Sequence, residues 1–187
     1  MKNRIKINGT IIFLCIALII IFKSIFLRAS DIGFLEILGV SLLLLGQLIR
    51  ISSRGYKAEY SRGGHELIKD GPYSLVRNPM YLGILLMGAG IVLFLFKFWV
   101  FFAFLAFFTI RYLTLIKQEE KILIEKFDRE YEDYKKNTPR IFPRMNYIIS
   151  HNIKNYLPLK LIWVKKEISS FVPIVISLVG LKIYALT

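Results

Sequence analysis

The sequence predicts an all-α, polytopic transmembrane helical bundle of about five spans. Hydrophobic residues make up 55% of the 187 residues, whereas soluble domains have about 45–50% even when glycine is counted. The mean hydropathy is +0.53. The excess is concentrated in blocks long enough to cross a bilayer, and most basic residues flank these blocks. We therefore interpret the chain as one membrane domain.

Five apolar blocks define the expected spans. They cover residues 7–27, 32–51, 79–96, 98–116 and 168–186. Lys97 alone separates the third block from the fourth, so these two are predicted to form a helical hairpin. Pro173 and Lys182 interrupt the last block, which either spans the membrane or is partly re-entrant. The residues before it, 145–167, are expected at the membrane interface because they contain aromatic anchors.

The first block resembles a signal peptide, but no small-residue cleavage site follows it. We expect it to remain as an uncleaved first span. Cys15 lies within this block and is the single cysteine, so an intramolecular disulfide and a cysteine-based metal site are both excluded.

The net charge of +13 comes from 26 Lys and Arg against 13 Asp and Glu. In a soluble protein this balance would suggest nucleic acid, but here the basic residues flank hydrophobic blocks. Membrane topology and anionic headgroups explain them better, and no nucleic-acid partner is expected. Most of them lie near the N-terminus, in residues 50–78 and in residues 117–167. The positive-inside rule therefore places the N-terminus and both polar segments in the cytoplasm.

Two charged residues within apolar blocks have alternative interpretations. Glu36 lies near the start of the second block, where it is either solvated at the interface or an intramembrane carboxylate. Arg111, near the end of the fourth block, either snorkels to the interface or faces a polar cavity.

The polar loop before the third block is the principal candidate for a site. Gly71-Pro72-Tyr73 predicts a turn, because Gly tolerates positive φ and Pro fixes the next φ. Asn78-Pro79 predicts a helix start, with Asn as the cap and Pro at the first helical position. The free N–H groups of that first turn would suit an anion.

A second polar segment follows the hairpin. Residues 117–136 predict an amphipathic helix in which Leu123, Phe127, Tyr131 and Tyr134 share one face. Pro139 is expected to end it. Because a hairpin returns the chain to the same membrane face, the loop and this helix should meet. No P-loop, dinucleotide fingerprint or HExxH motif is present, and no metal site is expected.

These polar segments resemble the isoprenylcysteine carboxyl methyltransferases and the broader group of membrane phospholipid N-methyltransferases. The matching residues, within about 60–145, are Gly71-Pro72-Tyr73, Arg77-x-Pro79-x-Tyr81-x-Gly83 and Glu119-Glu120, with His65, Tyr131, Tyr134 and Pro143 at the flanking positions. The other blocks contribute only generic hydrophobicity. The predicted organisation within residues 1–187 is thus two N-terminal spans (1–60), a methyltransferase-like core (61–145), and an interfacial segment with a C-terminal apolar helix (146–187).

One position departs from the family pattern, because Asn78 stands where the family has a histidine. Asparagine keeps a hydrogen-bonding side chain but does not titrate near neutral pH. If the position supplies a base, this chain has lost it. If the position caps the helix and contacts the cofactor, little changes.

The resemblance implies S-adenosylmethionine as the cofactor, with its carboxylate near Arg77 and its ribose hydroxyls or ammonium on Glu119 or Glu120. Adenine would stack on a tyrosine or on His65. The implied catalytic residues are Arg111, Glu120 and Arg140, and the first or last of these would hold an acceptor carboxylate. The implied cofactor-binding residues are His65, Leu67, Gly71, Pro72, Tyr73, Arg77, Asn78, Pro79, Tyr81, Glu119, Glu120 and Tyr131.

The acceptor class follows from the site's expected position between membrane helices at the cytoplasmic surface. It favours a lipophilic or lipidated molecule, such as a prenylated thiol-derived carboxylate or a phospholipid amine. Two alternatives stay open. One is a membrane NADPH-dependent reductase, in which Arg140 and Arg144 would bind the 2′-phosphate. The other is a non-enzymatic adaptor that binds membrane lipids. The sequence does not indicate an oligomeric state.

Overall fold

A computed structural model describes residues 21–29, 33–144 and 156–187 as helices joined by short connections. These ranges contain no β-strand, so the predicted all-α class is confirmed for them. The helices are α1 (Lys23–Phe26), α2 (Phe34–Tyr60), α3 (Pro72–Leu75), α4 (Pro79–Leu95), α5 (Phe98–Asn137) and α6 (Leu161–Leu186). A 3₁₀ turn at Arg62–Gly64 follows α2.

Three of these helices, α2, α5 and α6, are long and apolar enough to cross a membrane. The apolar helix α4 is shorter, with 17 residues. The protein is therefore an integral membrane protein. Most of the predicted first span, including Cys15, lies outside the described residues, as do residues 145–155 of the predicted interfacial segment.

Two helices extend beyond the predicted spans. The second span was expected to end at residue 51, and α2 continues past it to Tyr60, so the polar loop begins at Ser61. Residues 161–167, which are expected at the interface, form the first turns of α6. That helix continues through Pro173 to Leu186, which favours the spanning alternative over the re-entrant one.

Glycines allow α2 and α4 to pack backbone to backbone. A Cβ atom on Gly39 would lie 2.7 Å from the carbonyl oxygen of Gly90, and one on Gly46 would lie 2.6 Å from that of Gly83. The earlier glycine of α2 meets the later glycine of α4, and the later one meets the earlier, so the two helices are antiparallel. Small residues commonly allow such close approach between membrane helices.

The remaining helices extend this antiparallel pair. Lys97 connects α4 to α5, and Gly88 of α4 contacts the ring of Phe104, which confirms the predicted hairpin. Helix α6 runs antiparallel to α2, because Trp163 packs on Gly55 at one end. The end of α2, the starts of α4 and α6 and the polar part of α5 therefore lie together, at what we call the site end.

Lys182 of α6 meets α2 at the opposite end of the bundle. Its Nζ lies 3.3 Å from Oε1 of Glu36, and Nη2 of Arg28 lies 2.9 Å from the same oxygen. The Glu36 side chain is only 4% exposed. The expectation of a solvated carboxylate is therefore wrong. Lys182 comes from the far end of the chain and Arg28 from the connection just before α2, and this double pairing compensates the burial of the Glu36 charge.

The glycine contacts predict the effect of adding one methyl group. Gly46→Ala should lower the free energy of unfolding by about 1–3 kcal/mol, because the methyl would overlap backbone atoms of α4. Gly180→Ala is the matched control, since no atom lies within 4 Å of its added Cβ. Thermal unfolding in detergent would measure both variants. Equal effects would contradict the glycine packing.

Candidate functional site

The polar loop and the end of α5 are joined by backbone hydrogen bonds. The N–H of Arg77 donates to the carbonyl of Pro139 at 2.8 Å, and the N–H of Asn78 donates to that of Arg140 at 3.1 Å. The Tyr134 hydroxyl donates to the carbonyl of Tyr73 at 2.6 Å. We call residues 61–78 the site loop and residues 117–137 the polar half of α5. As predicted, the hairpin brings the two together.

Glu120 is the centre of a buried ion network. Arg140 binds it through two hydrogen bonds, from Nε to Oε1 at 3.1 Å and from Nη2 to Oε2 at 2.8 Å. Nη1 of Arg77 lies 3.0 Å from Oε1. The side chains of Arg77 and Glu120 are 7% and 6% exposed. One carboxylate thus pairs with two guanidinium groups, so the network keeps one net positive charge.

A cavity of about 230 Å³ lies beside this network, between the site loop, the end of α2 and the polar half of α5. All four side chains of the predicted amphipathic face line it, which confirms that face. The helix is interrupted at Asp128, whose φ of 44° is unusual for a non-glycine residue. The aromatic lining comprises Tyr73, Phe127, Tyr131 and Tyr134.

Arg77 reaches both the ion network and the cavity. Its Nε and Nη1 atoms are buried, and neither has a hydrogen-bond acceptor among the described residues. Nη1 is engaged in the ion pair with Glu120, which leaves Nε as the buried donor without a described partner. Buried donors without acceptors are costly, so this guanidinium suits a bound anion.

The cavity tyrosines belong to the site loop and to the polar half of α5. Burial raises the pKa of Tyr73 and of Tyr134 well above the usual tyrosine value. Burial also raises the pKa of Tyr131, and the nearby Glu120 carboxylate adds to the effect. These phenols are therefore neutral at physiological pH and offer ring faces and hydroxyl groups to a ligand.

Six of the predicted site residues lie at or beside the cavity. Leu67, Tyr73, Arg77 and Tyr131 line it. Glu120 pairs with Arg77 at its wall, and Arg140 pairs with Glu120. Sequence reasoning did not select four other polar lining residues. These are Lys57, Ser61, Glu66 and Lys126. Lys57 and Ser61 were missed because α2 was expected to end earlier.

Other predicted residues lie outside the cavity lining. His65 is exposed on the site loop, between the lining residues Gly64 and Glu66. Glu119 is exposed and accepts a hydrogen bond of 2.7 Å from the hydroxyl of Tyr81. Arg111 is exposed on α5, before the polar half begins.

The remaining predicted residues shape the loop. Pro72 and Pro79 line a separate apolar cavity of about 350 Å³. Gly71 has a φ of 58°, and a Cβ atom there would lie 2.8 Å from the Tyr56 ring, so glycine is required for both reasons. Asn78 occupies the N-cap position, but its side chain makes no cap bond. Its Nδ2 instead donates to the Arg140 carbonyl at 3.1 Å, so the predicted cap is wrong.

Comparison with known families identifies the group to which this chain is related. The family model described as phospholipid methyltransferase matches residues 34–130. The chain belongs to this family. The match begins at the start of α2, earlier than the predicted resemblance from about residue 60. Helix α2 therefore belongs to the family region, where it packs on α4 and lines the cavity.

Three curated proteins are similar to the chain. Protein-S-isoprenylcysteine O-methyltransferase of Saccharomyces cerevisiae is 33% identical over 117 residues, covering 53% of this chain and 45% of that protein. The cobalt-zinc-cadmium resistance protein CzcN of Cupriavidus metallidurans is 35% identical over 119 residues, with coverages of 60% and 49%. The nickel-cobalt-cadmium resistance protein NccN of Alcaligenes xylosoxydans xylosoxydans is 33% identical over 125 residues, with coverages of 62% and 51%.

The chain spans about half the length of the curated relatives it matches. No solved structure gave a significant match. Although two of the relatives are named for metal resistance, no group of three His, Cys, Asp or Glu residues that could hold a metal occurs in the described parts of this chain.

Two adjacent carboxylates provide a test of the ion network. Glu120→Gln should lower the free energy of unfolding by about 3–5 kcal/mol, because it leaves the buried guanidinium of Arg77 uncompensated. Glu119→Gln alters an exposed contact and should cost about 1 kcal/mol or less. Thermal unfolding of both variants would check this, and a larger loss in the Glu119 variant would refute the assignment.

Proposed function

We propose that the chain is an S-adenosylmethionine-dependent methyltransferase that acts on a lipophilic or amphiphilic acceptor. The observation that carries the proposal is the buried guanidinium of Arg77. It presents donors without described acceptors at the wall of an aromatic-lined cavity. Membership of the phospholipid methyltransferase family supports methyl transfer as the reaction.

The cavity residues fit the parts of this cofactor. Arg77 would bind the methionine carboxylate, because a guanidinium binds a carboxylate through two parallel hydrogen bonds. The tyrosines and Phe127 offer ring faces to adenine. Glu66, which lines the cavity, would accept hydrogen bonds from the ammonium or the ribose hydroxyls. The cofactor supplies an electrophilic methyl group, and the chain's own contribution is to position the reactants.

The structure suggests revised roles for three predicted residues. Glu66 replaces Glu119 as the proposed carboxylate for the cofactor, since Glu66 lines the cavity and Glu119 does not. Glu120 is proposed as a positioning residue, because it holds Arg77 at the cavity wall. Arg140 is also proposed as a positioning residue, because its Nε and Nη2 atoms both donate hydrogen bonds to Glu120.

The structure gives different support to the proposed roles of Asn78 and Arg111. The Asn78 side chain bonds to the backbone of the segment after α5, which favours a structural role over that of a lost base. Arg111 remains a prediction for an acceptor carboxylate, and its exposed position on α5 leaves it accessible to one.

The acceptor is proposed from the membrane setting. The cavity lies at the end of apolar helices, so a molecule that partitions into the bilayer reaches it most readily. The yeast relative is named for protein-S-isoprenylcysteine, and the family for phospholipid. Both kinds of molecule have a hydrocarbon tail beside a polar group. We place the site end in the cytoplasm, because the described basic segments cluster there.

Methyl transfer is favoured over the NADPH reductase alternative. Arg140 was the residue expected to bind a 2′-phosphate, but its guanidinium makes a double hydrogen bond to Glu120. Moving Arg140 to a phosphate would remove both of these hydrogen bonds from the buried carboxylate of Glu120, at considerable cost.

Filling the cavity should prevent cofactor binding. Leu123→Trp places a large side chain in the cavity lining and should weaken S-adenosylmethionine binding by more than about tenfold in isothermal titration calorimetry. Ile124→Trp is the matched control, because Ile124 is the next residue on α5 and does not line this cavity. If the Leu123 variant binds normally, the cofactor lies elsewhere.

The Arg77 side chain should be required for its geometry as well as for its charge. Arg77→Lys keeps the charge but loses the planar pair of donors, so the Kd for S-adenosylmethionine should rise by about tenfold. A methyl-transfer assay in liposomes with lipid and prenyl-cysteine acceptors should show a parallel loss. The adaptor alternative instead predicts no change, and an unchanged Kd would count against the proposed carboxylate site.

A further inference from the structure

A second polar cavity, which we call the cleft, lies between the end of α2 and the start of α6. Its volume is about 440 Å³, against about 230 Å³ for the candidate cofactor cavity. The two cavities share no lining residue. Arg54 and Ala58 of α2 line the cleft, whereas Lys57 and Ser61 line the other cavity. The cleft is therefore separate from the site described above.

Both carboxylates of the cleft have cationic partners, and Oε2 of Glu167 is buried without a hydrogen-bond donor among the described residues. Oε1 of Glu167 lies 2.6 Å from Nη1 of Arg54, and Arg50 approaches Oε2 at 3.8 Å. Glu59 is paired with Lys160. Lys166 also lines the cleft, and the described residues give it no ion-pair partner. Arg54 and Lys166 balance Glu59 and Glu167 in the lining, and Arg50 and Lys160 beside it give the region an excess of positive charge.

The start of α6 adds to this positive potential. Helix α6 has no acidic residue in its first turn, and its N-cap, Lys160, makes no side-chain cap bond. The partial positive charge of a helix N-terminus is usually balanced by Asp or Glu at these positions. Here Lys166 follows one turn later on the same helix. The charge and the helix terminus together favour an anion.

The walls of the cleft also offer apolar contacts, which favour an anion attached to a hydrocarbon. Trp163 lies directly against the backbone of Gly55, where a Cβ atom would be 2.1 Å from the indole Cδ2. Ile162 lines the cleft and is 59% exposed, and neighbouring Leu161 is 72% exposed. Apolar side chains exposed at the end of a membrane helix are expected at the interface with lipid.

From these features we infer that the cleft binds the phosphate of an anionic phospholipid. Lys166 and the exposed part of Arg54 bind the phosphate, and Trp163 and Ile162 contact the first carbons of the acyl chains. Arg54 also holds Glu167, so Lys166 is the residue that can be changed without exposing a buried charge. The inference does not depend on the proposed methyl transfer, because the two cavities have separate linings.

The test uses Trp163 as the reporter. The chain has two tryptophans, so Trp99→Phe leaves Trp163 as the only one. Brominated phosphatidylglycerol, titrated into the full-length protein in neutral detergent, should quench its fluorescence. Lys166→Gln should raise the midpoint of quenching about fivefold, as expected for one lysine near an anionic headgroup. Lys166→Arg should restore the original midpoint.

Lys165→Gln is the matched control, because Lys165 is exposed on the same helix but does not line the cleft. It should leave the midpoint unchanged. Equal weakening by both glutamine variants would overturn the site in favour of general surface charge. Quenching by brominated phosphatidylcholine with the same midpoint would overturn the requirement for an anionic lipid. Displacement of the lipid by millimolar inorganic phosphate would show a soluble-phosphate site instead.

Discussion

The structure of the site end depends on one carboxylate, that of Glu120, held between Arg77 and Arg140. These three residues come from α5 and from the two connections at the ends of the hairpin. Burial of an ionised carboxylate is tolerated only when partners satisfy it, so the site loop and the segment after α5 must remain in place together. The same pairing holds Arg77 at the wall of the candidate cofactor cavity.

The helix packing makes this pairing possible. Because glycines bring the backbones of α2 and α4 into contact, the start of α4 lies close to the end of α2, and the site loop closes a short distance between them. Helix α5 returns along α4 and extends past its start, which places the polar half of α5 over the loop. The cavity is thus formed by a rigid apolar bundle and two polar segments attached to it.

The sequence predicted the elements more reliably than the contacts. Apolar block lengths gave α4 and the hairpin, and the three-and-four spacing gave the face of α5 that lines the cavity. The sequence alone could not show whether Glu119 or Glu120 faces Arg77. Adjacent helical residues point about 100° apart, so only the fold decides which of the two does. The burial of Glu36 could not be predicted either, since its partner Lys182 lies 146 positions away in the sequence. The continuation of α2 to Tyr60 was missed because its last turns are polar.

The central claim is that the site loop and the polar half of α5 enclose one cofactor, and hydrogen exchange measured by mass spectrometry tests it most directly. Adding S-adenosylmethionine to the protein in detergent should slow amide exchange in residues 61–78 and in residues 119–140 together, with the apolar part of α6 unchanged. Protection of only one of these segments, or of neither, would contradict the account.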